Sequence, residues 1–380
     1  MSQRPKTILL VSASIGAGHT QAARAIQADW NSTFPRDTVI IVDFMDEQNS
    51  YLNYMIKETY LKMIEVTPFL YDALYHLSQG LRPASRRQNL FSWFLKKTMQ
   101  NILATYQPDI VICTHPFPCA AMAYLKRRHR ITVPLAGIIT DFTVHSTWIY
   151  SEVDLYAVAA EELKDDLLTY KIPSNRVAVT GIPIRPPLAP ETKVDFRELG
   201  LQHADNPVVL VMGGGLGIGP LQEVVLALDS VSAPLQIVAV TGKNPELARE
   251  LNRSIKSLRH SVTVLGYTPL VRELMHVASL LITKPGALTL SEAMAAGLPM
   301  LFYESFPGQE TDNASFLIAR GVADWFRPVQ PEAIVRLLTD SVEREQIQRA
   351  ICRVAQPDSA KAAVRAIAAQ LLTANQASGM

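Results

Sequence analysis

The chain has 380 residues, 48% hydrophobic and 19% charged, with 36 Lys and Arg against 35 Asp and Glu for a formal charge of +1. That length suits two or three domains with a filled core in each. The even charge balance excludes a global basic field, so no nucleic-acid partner is expected. Cys113, Cys119 and Cys352 show no metal-ligand spacing and are too few for a disulfide framework, so they read as reduced thiols. No apolar run reaches the ~18 residues of a spanning helix, and the run after Arg4 and Lys6 is too short for a signal peptide.

In chain order, the first predicted strand is Thr7–Ala13. It leads into Ser14-Ile15-Gly16-Ala17-Gly18-His19 and an alanine-rich helix predicted from Gln21 to Trp30. Glycines at 16 and 18 let a ligand approach the backbone, and a helix start offers free N–H groups. His19 at that start is a candidate general base, because the helix dipole favours its neutral form. The competing reading is a tight turn with a capping histidine. After a predicted strand at Val39–Phe44, the segment Tyr51–Lys97 is aromatic and locally basic, with Arg86, Arg87, Trp93, Lys96 and Lys97 near its end. Such a surface suits anionic lipid headgroups; the alternative is an ordinary solvated helix pair.

Further strands are predicted at Ile110–Thr114, Leu135–Thr140, Leu155–Val158 and Val177–Thr180. Pro183, Pro186, Pro187 and Pro190 then make a stiff stretch, and a domain boundary is expected near residues 185–200. A second series follows at Val208–Met212, Leu235–Val240, Val262–Leu265, Leu280–Thr283 and Met300–Tyr303. These runs are continuous rather than alternating, which suits parallel strands buried on both faces. Alternation with helical patterns predicts doubly wound α/β domains.

Gly213-Gly214-Gly215-Leu216-Gly217-Ile218-Gly219 follows the first strand of this series and suits a phosphate-contacting turn. It fails the GxGxxG spacing, and Thr241-Gly242-Lys243-Asn244 lacks the Ser/Thr of a P-loop, so dehydrogenase and P-loop ATPase readings lose support. The segment Lys284-Pro285-Gly286-Ala287-Leu288-Thr289 opens a helix predicted over Leu288–Ala296, whose start suits a diphosphate. Thr289 is a phosphate donor candidate. Glu292 is expected in the first turn, where it would reach ribose hydroxyls or simply cap the helix. Gln309, Glu310 and Asn313 form a polar cluster after the next strand, of the kind hydroxyl-rich ligands require. The segment from about 331 to 380 is Ala/Leu/Arg-rich and helical in pattern.

At these residues the chain resembles the diacylglycerol glycosyltransferases, that is, the bacterial processive β-glucosyltransferases and monogalactosyldiacylglycerol synthases of glycosyltransferase family 28. The residues that carry the resemblance are GAGH, TDFxxHxxW at Thr140–Trp148, KPGALTLSEAMAAGLP and PGQExxN. A more distant likeness is to the peptidoglycan N-acetylglucosaminyltransferase. The resemblance implies a GT-B fold, two Rossmann-like doubly wound domains facing a central cleft. Residues 1–185 would bind acceptor lipid and membrane and 186–355 the UDP-sugar, with a C-terminal helix at about 355–380 packing back on the first domain.

It further implies an inverting enzyme that moves a hexose from UDP-hexose to the 3-hydroxyl of diacylglycerol, on an anionic phospholipid surface at the cytoplasmic face of the cell membrane. Glucose is favoured over galactose because no plastid-type leader is evident, and the number of sugars added is open. No cofactor and no metal are expected. His19 maps to the base, with Asp141 as fallback. Gly213, Gly214, Tyr267, Lys284, Gly286, Ala287, Thr289, Glu292, Gln309, Glu310 and Asn313 map to the donor site. Gly16, Gly18, His145, Trp148, Arg86, Arg87 and Trp93 map to the acceptor and membrane side. Ala287 stands where many relatives have a second glycine, which bears on the turn's geometry. Alternatives are an N-acetylglucosaminyltransferase acting on a polyprenyl-linked acceptor, a UDP-N-acetylglucosamine 2-epimerase, and a UDP-sugar-sensing regulator.

Overall fold

The computed structural model describes residues 4–14, 17–46, 86–203, 205–303, 308–327 and 331–372. Two compact units are found: Met1–Arg185 with 306–309 and Asp358–Met380, and Pro186–Ser305 with Glu310–Pro357.

In the first unit the described elements are β1 (Thr7–Ser12), α1 (Ala17–Thr33), β2 (Thr38–Asp43), α2 (Arg86–Tyr106), β3 (Ile110–Cys113), α3 (Pro116–Arg127), β4 (Leu135–Ile138), β5 (Leu155–Val158), α4 (Glu161–Thr169) and β6 (Val177–Val179). All pairings are parallel, in the order β2-β1-β3-β4-β5-β6. Parallel strands must be covered on both faces, which is why β3 and β4 are buried at every residue. One face of the sheet, through Ile8, Leu10, Ile110, Ile112 and Ile138, packs on Ala23, Ile26 and Trp30 of α1. Val364, Ile367 and Leu371, from far along the chain, complete this same core.

The chain leaves β1 towards β2 and then returns to β3 on the other side of β1. Such a reversal opens a crevice at the carboxyl ends of the strands on either side of it, here β1 and β3. Helix α1 begins at Ala17, four residues before the predicted start at Gln21, so Gly18 and His19 lie inside its first turn.

The second unit holds β7 (Val208–Met212), α5 (Leu221–Leu228), β8 (Gln236–Val240), α6 (Pro245–Ser254), β9 (Ser261–Leu265), α7 (Val271–Val277), β10 (Leu280–Thr283), α8 (Ala287–Ala295), β11 (Met300–Phe302), α9 (Gln309–Ile318), β12 (Ala323–Trp325), α10 (Pro331–Thr339) and α11 (Ser341–Val354). Its sheet is also parallel, in the order β12-β11-β10-β7-β8-β9. Strand β12 was not foreseen. Its core packs Val209, Val211, Ile237 and Ile282 against Leu221, Val224 and Val225 of α5 and against Leu337 and Leu338 of α10. Strands run β7-β8-β9 one way, and β10 then pairs with the other edge of β7. The crevice therefore lies after β7 and β10. The chain continues after α11 into α12 (Ser359–Ile367) and a closing turn at Ala368–Leu372, both in the first unit.

Candidate functional site

The first unit's switch point gathers a polar cluster. His19 Nδ1 lies 2.9 Å from the Thr114 carbonyl, just past β3, and 2.8 Å from the Thr140 hydroxyl, just past β4. A carbonyl oxygen only accepts, so Nδ1 carries the proton and Nε2 carries the lone pair. The cost of burying a charged ring, greater than the help from the Thr114 carbonyl, lowers the His19 pKa from 6.5 to about 4. The imidazole is thus neutral at pH 7, with its basic nitrogen fixed by its neighbours. His115 packs edge-to-face on His19 at 4.6 Å between ring centres. It caps α3 by accepting from the Phe117 N–H, and burial beside His19 pushes its own pKa well down. Thr114 and His115 were not singled out from the sequence, and Thr140 entered only as the first residue of the TDFxxHxxW motif, without a role. Asp141 follows Thr140 directly in the chain. Gly18 lies in the first turn of α1, whereas Gly16 lies outside the described residues.

The second unit's switch point carries the predicted donor residues. Two positions of the glycine loop depend on having no side chain. A Cβ at Gly217 (φ 65°) would lie 1.8 Å from the Thr241 carbonyl, and one at Gly219 (φ 126°) 2.4 Å from the Tyr303 ring. Tyr303 itself is buried, and its hydroxyl reaches the Met212 and Ile218 carbonyls at 2.9 and 3.1 Å, one at each end of the loop. Lys284 crosses over Gly214, since a Cβ there would meet Lys284 Cε at 3.0 Å. Its ammonium pairs with Glu310 Oε1. The other carboxylate oxygen, Glu310 Oε2, is buried without a hydrogen-bond partner among the described residues.

Helix α8 opens at Ala287 from Gly286, which as N-cap supplies no side-chain hydrogen bond, and no acid stands in its first turn. Glu292 therefore stands in the second turn, not the first as expected. Thr289 lies in the first turn. Gln309 and Glu310 open α9. Asn313 is buried and donates from Nδ2 to the Pro285 carbonyl at 3.3 Å, so it shapes the turn before α8. Tyr267 is 57% exposed beyond β9.

On the predicted acceptor side, His145 and Trp148 form a buried 3-10 turn. His145 accepts from the Thr147 N–H, and Trp148 is only 1% exposed. The Trp148 ring therefore belongs to the interior of the first unit. Trp93 and Phe94 on α2 are 43% and 51% exposed, stacked edge-to-face at 5.0 Å, with Lys96 Nζ 4.5 Å from the Trp93 ring. The opposite face of α2 buries Ser92, Leu95, Met99 and Ile102. The side chains of Arg86 and Arg87, and residues 47–85 of the basic aromatic segment, lie outside the described set. Among the described residues no helix is long and apolar enough to cross a membrane, and no group of three or more His, Cys, Asp or Glu is placed to hold a metal.

Residues 19–184 match the monogalactosyldiacylglycerol (MGDG) synthase family, and residues 208–327 match the glycosyltransferase family 28 C-terminal domain. The chain is 32% identical over 378 residues to processive diacylglycerol beta-glucosyltransferases of Bacillus cereus (strain B4264) and Bacillus anthracis (strain A0248), covering 97% of this chain and 95% of each relative. Among solved structures, Acinetobacter baumannii MurG aligns with a TM-score of 0.61 at 16% identity, over 95% of this chain and 98% of that one. The S. aureus MnaA–UDP co-structure aligns with a TM-score of 0.64 at 14% identity, over 96% of each chain. At those identities the structural likeness speaks for the fold, the pair of Rossmann-like domains termed GT-B.

Proposed function

The chain belongs to the family of processive diacylglycerol beta-glucosyltransferases and monogalactosyldiacylglycerol synthases, and from that premise we propose that it moves glucose from UDP-glucose to the 3-hydroxyl of diacylglycerol with inversion at the anomeric carbon. The observation that carries the chemistry is the state of His19. Its Nδ1 proton is directed at the Thr114 carbonyl, its charge is disfavoured by burial, and Nε2 is left as the proton acceptor. Nε2 takes the proton of the diacylglycerol hydroxyl as that oxygen attacks the anomeric carbon. The C1–O bond to the diphosphate breaks, and UDP leaves with the electron pair. Asp141 is the fallback base.

The second unit would hold the donor. The N–H groups at the start of α8 and the backbone of the glycine loop suit the charge that grows on the diphosphate. Glu310 suits a sugar hydroxyl. Its buried, unpartnered Oε2 is an acceptor in want of a donor, and the cost of such an orphan is relieved when a hydroxyl arrives. Glu292 and Tyr267 are assigned to the ribose and the uracil, and Gln309 joins Glu310 at the sugar.

The acceptor is insoluble, so the enzyme must meet a bilayer. The exposed Trp93–Phe94 pair beside Lys96 and Lys97 suits the interface of an anionic membrane, with rings at the headgroup level and ammonium groups on phosphate. We assign the protein a peripheral position on the cytoplasmic face, the side that holds UDP-sugars.

One assay tests these readings together. Vesicles of diacylglycerol, with and without anionic phospholipid, are offered UDP-glucose, UDP-galactose or UDP-N-acetylglucosamine in the presence of EDTA. Glucolipid formation from UDP-glucose, stronger on anionic vesicles, is expected. His19→Ala should lower turnover by about a hundredfold or more with UDP affinity near wild type, the range for loss of a general base. Turnover that survives in His19→Ala moves the base to Asp141. UDP-sugar binding with no lipid product favours the polyprenyl acceptor or the sensor.

A further inference from the structure

The turn Thr241-Gly242-Lys243-Asn244 follows β8 and resembles the end of a P-loop without being one. Its backbone is tied to the glycine loop residue by residue. The Thr241 carbonyl occupies the space a side chain at Gly217 would need. Gly242 has φ 57°, and a Cβ there would lie 2.5 Å from the Gly214 carbonyl and 2.7 Å from that of Gly215. The Lys243 N–H donates to the Gly215 carbonyl at 3.0 Å. Asn244 accepts from the Leu247 N–H to cap α6, and its Nδ2 donates to the Gly217 carbonyl at 3.1 Å. The two loops are therefore one structure, built at the carboxyl ends of neighbouring strands.

Lys243 is the residue of that turn whose side chain is not used in holding it. It is exposed, has no carboxylate partner among the described residues, and its ammonium lies 5.8 Å from the centre of the Tyr267 ring. Lys284, by contrast, is already paired with Glu310. Along the sheet edge the order β10, β7, β8, β9 sets Lys284, the glycine loop, Lys243 and Tyr267 in a row. A nucleoside diphosphate laid along that row, phosphates on the glycine loop and base at Tyr267, has its phosphate nearest the nucleoside beside Lys243.

We propose that the Thr241–Asn244 turn is part of the donor site and that Lys243, which has no carboxylate partner among the described residues, binds a phosphate of the nucleoside diphosphate. This rests on the glycine loop being the donor-phosphate site. Hydrogen bonds to charged phosphate are the stronger class, yet solvent reaches this one, so an effect of about tenfold is expected.

The test is calorimetric binding of UDP and of uridine to wild type, Lys243→Ala and Lys243→Arg. Lys243→Ala should raise the Kd for UDP about tenfold and leave that for uridine unchanged, and Lys243→Arg should restore most of the loss. An unchanged Kd for UDP overturns the proposal. An equal loss for uridine also overturns it, since Lys243 would then act through the base or Tyr267. Failure of the wild type to bind UDP would instead overturn the reading of the glycine loop, and this proposal with it. Because the side chain is exposed, thermal melting of both variants should match wild type.

Discussion

His19 shows how a few neighbours define a reactive group. An exposed histidine at pKa 6.5 is part-charged near neutrality and interchanges its tautomers. Here the Thr114 carbonyl and Thr140 hydroxyl hold Nδ1, and burial sets the pKa at about 4. A base works only when unprotonated, and a lowered pKa keeps it unprotonated to lower pH. The acid limb of kcat/KM should therefore fall below pH 6, towards the lowered value; a midpoint at 6.5 would mean that the ring titrates as if in water. The histidine was legible in the sequence because Gly18 and His19 sit together after a strand. Its partners were not. Thr114 is 95 residues away and Thr140 is 121, and both become neighbours only through the order of β1, β3 and β4.

At the scale of elements, the glycine loop and the Thr241 turn form an interlocked pair in which space matters more than charge. Gly217→Ala puts a methyl 1.8 Å from the Thr241 carbonyl, on a backbone of φ 65° that alone costs an alanine roughly 1–2 kcal/mol. The loops must part, so UDP affinity should drop about tenfold or more with a lowered melting temperature. An unaltered UDP Kd in Gly217→Ala would show that the loop's shape is immaterial to the ligand. Most strands were legible because buried parallel strands are unbroken Val/Ile/Leu runs. Strand β12 was not, since Ala323-Asp324-Trp325 offers three residues with an acid in the middle. The start of α1 was placed late because glycine is a poor helix former, yet Gly18 lies in the first turn. The start of α8 was placed one residue late, and Glu292, fifth residue of the predicted helix and sixth of the observed one, lies beyond the first turn in either case.

At the scale of the whole molecule, the first unit is not contiguous in sequence. Val364, Ile367 and Leu371 close the core around Trp30. At about 1.5–3 kcal/mol for each buried side chain, these three contribute roughly 5–9 kcal/mol, comparable to the entire stability of a typical domain. A chain ended at Pro357 should therefore lose the near-UV circular dichroism and the cooperative melt of the first unit. Retention of both at an unchanged midpoint would make the helix an accessory.

This closure also sets a clock on synthesis. Residues 1–185 leave the ribosome well before residue 358, and at ~5–20 residues per second the wait is on the order of ten to thirty seconds. For that interval the core around Trp30 lacks Val364, Ile367 and Leu371. Apolar surface exposed during synthesis is what chaperones bind. The unit that holds His19 is finished only after residues 186–357 have been made, so a product shortened before Asp358 lacks the helix that closes that unit's core.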